Sequence, residues 1–104
     1  MQMNAKIYIA KGINVSCRTI DDETFVFRED TRELIQLNDV GSIIWDQING
    51  LKTVGEIAEF CCQNFTGNRE EIRACANEFL DSLLGRGVAV SSNKQFKGVM
   101  ASAC

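Results

Sequence analysis

The chain has no histidine and no proline. Histidine is the commonest general base near neutral pH and the usual partner of a serine or cysteine nucleophile, so enzymatic readings begin without their ordinary instrument. A tetrahedral Cys/His zinc site is also short of ligands, because no Cys-x-x-Cys pair occurs. Without proline, nothing in the backbone interrupts a helix or the middle of a strand. Glycine-rich phosphate loops and calcium-loop patterns are missing. No apolar run approaches the ~20 residues that span a bilayer. With 14 acidic against 11 basic residues and a net charge of −3, there is no electrostatic footprint for a polyanion, whose binding depends on Lys and Arg displacing counterions. These absences argue against a metal centre, a cofactor, a membrane and nucleic acid. The first twelve residues carry no secretory pattern, which sets the cytoplasm as the expected address.

At 104 residues with 45% hydrophobic composition, the chain has material for one domain with one core. The expected division is an N-terminal segment over 1–12, with an extra strand through Ile7 and Ile9, a domain over 13–90, and a flexible tail over 91–104. The five cysteines are odd in number, and Cys61 and Cys62 are neighbours on a helical pattern, so free thiols in a reducing compartment are expected. Cys104, at the end of a polar tail, is expected to be exposed and oxidisable. Acidic pairs such as Asp21-Asp22 and Glu70-Glu71 read as solvated faces.

From Ile13 to Leu37 the apolar residues follow a period of two. Ile13, Val15 and Cys17 alternate with polar neighbours, while Phe25 and Phe27 face one way and Val26 the other, the pattern of half-buried strands. Short polar breaks at 21–23 and 29–31 suit hairpin loops and are too short for a parallel crossover. A three-stranded antiparallel meander follows, ending in Arg32, Glu33, Leu34, Ile35, Gln36 and Leu37. Beyond it the period becomes helical. Asn38 suits an N-cap, and Val40, Ile44 and Ile48 form a stripe that Gly50 ends. Thr53-Val54-Gly55-Glu56 has the capping-box spacing and opens a second helix, which Gly67 closes. Asn68 to Glu71 repeats the signature before a third helix.

The apolar face of that third helix is wide. Ile72, Ala76, Phe79 and Leu83 already supply the ~100° stripe that a surface helix needs. Leu80 and Leu84 are surplus, and with Arg73 and Asn77 they define a second strip that lines a groove in this reading.

Leu37-Asn38, Gly41, Ile44-Trp45, Gly50, Thr53-Val54 with Ile57-Ala58, Phe79-Leu80 with Leu83, and Gly87-Val88 stand in an order that resembles the PqqD family. These are the peptide chaperones of pyrroloquinoline quinone biosynthesis, together with related precursor-recognition domains of ribosomally made, modified peptides. The resemblance spans about Ile13 to Val90. It implies an α+β, winged helix-turn-helix-like fold, with a three-stranded antiparallel sheet followed by three helices. It also implies a non-catalytic adaptor, which holds the leader segment of a precursor by β-augmentation on the third strand and presents it to a modifying enzyme such as a radical SAM maturase. Arg32 to Leu37 is then the peptide-pairing strand, with Glu33 and Ile35 giving backbone bonds; Arg73, Asn77, Leu80 and Leu84 are the opposite wall.

Two other classes stay open at this stage. A winged helix can enter a DNA major groove, although Glu70, Glu71, Glu78 and Asp81 would face the phosphates. A structural or oligomeric module would pair the exposed strand with its own copy, a homodimer that the adaptor itself could form when no peptide is present.

Overall fold

The computed structural model describes residues 6–96; Cys104 and the rest of the expected tail beyond residue 96 lie outside that range. The element order is β1 (Tyr8–Lys11), β2 (Val15–Ile20), β3 (Glu23–Arg28), β4 (Glu33–Leu37), α1 (Asp39–Asp46), α2 (Val54–Asn64), α3 (Arg69–Gly85) and β5 (Ala89–Ser92). It is an α+β fold. The expected third strand is β4.

The meander β2-β3-β4 is antiparallel throughout. Its first turn is two residues long: Ile20 faces Glu23, and Asp21 and Asp22 both take positive φ, +52° and +68°. That is the turn whose twist matches a hairpin, and Asp tolerates it better than most residues. The second loop is longer than its polar residues suggested. Arg28 faces Glu33, and Arg32 sits at φ +64° with its N–H donating to the Arg28 carbonyl at 2.8 Å. Arg32 therefore belongs to the loop, and the strand starts at Glu33.

The period-two reading sorts the faces. Val26 is fully buried and Ile35 nearly so, while Phe25 and Phe27 are half-buried on the opposite face and Leu34 is 61% exposed there. On the inner face the helices supply Ile44, Trp45, Ile48, Ile57, Leu80 and Leu83. Trp45 is 1% exposed, and its indole N–H donates to Cys17 Sγ at 3.3 Å. The Lys11 ammonium lies 5.3 Å from the centre of the indole, and burial holds its pKa below the ordinary lysine value against the opposing pull of Asp46.

All three caps form. Asn38 accepts from the Gly41 N–H, Thr53 and Glu56 exchange bonds as a capping box, and Asn68 accepts from the Glu71 N–H. Each satisfies donors left over in a first helical turn.

Two parts differ from the sequence reading. The N-terminal strand exists, but it pairs antiparallel with β5 and bridges to Thr53, forming a separate two-stranded sheet. The chain also remains attached after Ser91: Ser91 and Ser92 pair with β1, and the Phe96 N–H donates to the Gly50 carbonyl at 2.9 Å. Gly50, at φ +82°, has no room for a side chain against Phe96. Among the cysteines, Cys61, Cys62 and Cys75 are free, as expected. Cys17 is not, being disulfide-bonded.

Leu80 is fully buried, while Leu84 is partly buried against the edge of the core. Leu80→Ala is expected to cost about 2–5 kcal/mol, and Leu84→Ala about 1 kcal/mol. Urea unfolding followed by circular dichroism separates the two; equal losses would refute this placement. A second expectation concerns Glu59 on α2, whose carboxyl is held below its usual range by hydrogen bonds from Arg73 and then Arg69 on α3. Its folded-state pKa is depressed, so its contribution is present above the unfolded value of about 4.3 and is lost as the pH falls through the folded value. Glu59→Gln should flatten that acid limb of the stability profile, read as urea midpoints between about pH 7 and about pH 3.

Candidate functional site

Two features converge beside α3. The first is a strand with one side open. β4 pairs with β3 and has no strand on its other flank among the described residues, so alternate residues turn their N–H and C=O groups away from the sheet. Of the sheet's two outer strands, β4 is the one that runs alongside α3. Arg86, the C-cap of α3, donates to Glu33 at 3.1 Å at the start of β4. At the other end of the strand, a Cβ built on Gly41 would lie 3.3 Å from both Leu37 Cβ and Phe79 Cζ. The helix and the strand are therefore antiparallel neighbours, joined at Glu33 and close again at Leu37.

The second feature is a cavity of about 350 Å³ at the Leu37 end. α1 contributes Val40, Gly41 and Ile44 to its wall; α3 contributes Ile72, Ala76 and Phe79, with Glu71 and Cys75 toward solvent. Cys61 of α2 closes the wall from below, a buried thiol whose pKa burial pushes above the ordinary value. The missing Cβ of Gly41 brings α1 and Phe79 to near-contact distance. Val40, which the helical stripe assigned to the core, is 44% exposed because it lies at the cavity mouth.

Of the strand residues expected in the site, Ile35 and Leu37 point inward and are almost fully buried. Leu34 and Gln36 lie on the opposite face, where Gln36 donates to Glu23 at 3.0 Å. Glu33 is partly buried and paired with Arg86, and Arg32 stands in the preceding turn.

The wall expected on α3 needs correction. Leu80 is sealed in the core, Leu84 packs against it, and Arg73 donates to Glu59 of α2 at 2.8 Å. Only Asn77 of that strip is exposed. At 100° per residue, Arg73, Asn77, Leu80 and Leu84 centre roughly 140° around the helix from the cavity-lining group. Their side of α3 reaches α2 through Arg73 and Glu59 and packs Leu80 and Leu84 on the core. The side that meets the cavity carries Glu71, Ile72, Cys75, Ala76 and Phe79. The sequence did hold a signal for it, since Ile72, Cys75, Ala76 and Phe79 recur at three- and four-residue spacing, but the same signal describes a plain core stripe.

No metal-ligating group of three or more His, Cys, Asp or Glu side chains occurs among the described residues. None of the helices there is long and apolar enough to cross a membrane.

Comparison with known proteins gives a consistent result. The family model described as Coenzyme PQQ synthesis protein D (PqqD) matches residues 23–89, from the start of β3 into β5. Two solved structures share the fold. TbiB1 in complex with the TbiA(beta) leader peptide superposes with a TM-score of 0.70 at 25% identity, covering 77% of this chain and 93% of that one. A lasso peptide synthetase B1 complexed with the leader peptide gives 0.69 at 18% identity, covering 79% and 96%. No curated protein matches the sequence. With an open strand beside an apolar cleft, and a family match over most of the domain, the chain belongs to the PqqD family.

Proposed function

We propose that the protein is a non-catalytic adaptor that captures the leader segment of a ribosomally made precursor peptide and presents it to a modifying enzyme in the cytoplasm. The observation that carries this reading is the unpaired flank of β4 running along α3 into an apolar cavity. It is supported by similarity to two structures that hold leader peptides.

The chemistry is main-chain recognition. An extended peptide laid on β4 satisfies the outward N–H and C=O groups of the strand, and its alternate side chains reach the cleft. Leu34 and Gln36 supply the outward backbone groups in this proposal, in place of Glu33 and Ile35: Glu29 donates to Asn14, so the odd-numbered residues of β3 bond to β2 and leave Thr24, Val26 and Arg28 to bond to Leu37, Ile35 and Glu33. Glu33, Ile35 and Leu37 bond to β3 and hold the strand flat, and Arg32 shapes the turn that starts it. Phe79, Ile72, Val40 and Ile44 then receive an apolar side chain of the guest, in place of the wall of Arg73, Asn77, Leu80 and Leu84. Among the helical residues of that first wall, Asn77 is exposed, while the Arg73 side chain, also open to solvent, is engaged with Glu59.

The enzyme served acts on the presented peptide; a radical SAM maturase is the candidate that family membership suggests. A DNA-binding role is not favoured. Glu70, Glu71, Glu78 and Asp81 are all exposed on α3, where a reading helix would need cations.

Two outcomes test the reading. Titration with a synthetic leader, taken from a short precursor encoded beside the gene, should shift the amide signals of residues 33–37 together with those of Gly41, Ile72 and Phe79; shifts confined elsewhere would falsify it. Methylating the backbone nitrogens of that leader one at a time should weaken binding at every second position only, the signature of a strand pairing on one side. Phe79→Ala is expected to lower affinity by about tenfold or more, from the loss of roughly 1.5–3 kcal/mol of apolar burial. Calorimetry measures it, and an unchanged affinity would move the guest out of the cavity. Light scattering with and without leader tests pairing of β4 with its own copy, which the peptide should displace.

A further inference from the structure

The cleft is apolar inside, but the charge along its α3 rim has one sign. Glu71 lines the cavity on the solvent side of Ile72 and Cys75. Glu78, seven residues on, falls within about 20° of Glu71 around the helix and about 10.5 Å further along it. Both are exposed.

The cations that could neutralise this rim are occupied. Arg69 and Arg73 both reach Glu59 at 2.8 Å on the α2 side of the helix, and Arg86 pairs with Glu33. None of the four ion pairs among the described residues includes Glu71 or Glu78. A guest whose backbone lies on β4 and whose apolar side chain enters between Val40 and Phe79 must pass its neighbouring side chains along this rim. A carboxylate there meets like charge; an ammonium or guanidinium meets two unopposed carboxylates.

We infer that Glu71 and Glu78 set the charge preference of the groove, which takes an extended peptide whose apolar anchor is flanked by Lys or Arg. This rests on the peptide-binding reading and names the class of peptide. Electrostatic complementarity of this kind acts more on selection and association rate than on the tightness of the complex.

The test uses the full chain and random twelve-residue peptides displayed on phage. Against the unaltered protein, selection should enrich an aliphatic or aromatic residue with Lys or Arg within a few positions. For synthetic peptides matched except for Lys against Glu at that position, affinity should differ roughly three- to tenfold at low ionic strength, shrinking in about 0.5 M salt. Glu71→Gln with Glu78→Gln should erase the difference, and Glu71→Lys with Glu78→Lys should invert it while the apolar anchor is kept. Glu70→Gln with Asp81→Asn removes the same charge from a side of α3 away from the cavity and should leave selection unchanged. An apolar anchor selected without Lys or Arg, a preference that survives the reversal, or an equal effect of the control pair would overturn the charge assignment alone. Failure of every form to select any peptide would overturn the groove as a peptide site, and the charge assignment with it.

Discussion

The structure depends on where the first strand goes. A small antiparallel sheet with one buried face ordinarily recruits every available strand, because an unpaired edge leaves backbone donors and acceptors to water and invites aggregation. Here β1 is consumed by β5 and Thr53 in a second small sheet, and the backbone of that sheet is tied to the loop after α1: Gly50 donates to the Ile9 carbonyl at 2.9 Å and Val54 to the Ile7 carbonyl at 2.8 Å. No strand among the described residues is left to cover β4. The open edge is thus a property of the topology, and α3 fixes which kind of molecule can use it: a chain thin enough to lie between a strand and a helix.

Burial on α3 then divides into two jobs. Ala76, Leu80 and Leu83 hold the helix on the core, and each fully buried leucine contributes about 1.5–3 kcal/mol by the usual area scale. Ile72 and Phe79 are only partly buried and face the cavity. They are apolar surface that the fold leaves unfinished, and covering them is the gain available to a guest. The ion pairs that flank the helix are exposed and worth little individually; their effect is to use up the arginines on that side of the molecule.

Much of this was legible in the sequence because it is local. The alternation of Val26 against Phe25 and Phe27, the caps at Asn38, Thr53 and Asn68, and the glycine stops each depend on residues within a few positions of one another. What was not legible depends on distant partners. Arg73 looked available because its acceptor, Glu59, lies on the preceding helix, 14 positions away. Leu80 looked surplus because a wide apolar face does not say which of its halves meets the sheet and which meets a neighbouring helix. Arg32 looked like strand because nothing in an arginine announces a left-handed turn. The disulfide at Cys17 was likewise hidden, since spacing alone does not pair five cysteines.

Arg28 has a consequence of a different kind. The last turn of α3 contains no basic residue, and the guanidinium of its C-cap, Arg86, is turned to Glu33, so the carbonyl end draws on a cation from elsewhere to offset the helix dipole. That charge is delivered from β3: Arg28 donates to the Arg86 carbonyl at 2.6 Å, in space that a side chain on Gly87 would occupy. The helix terminus is completed only when the hairpin is already in place, and the hairpin's arginine finds its acceptor only when the helix has ended. Together with the bond from Arg86 to Glu33, this contact ties strand to helix at the closed end of the cleft and sets their spacing there.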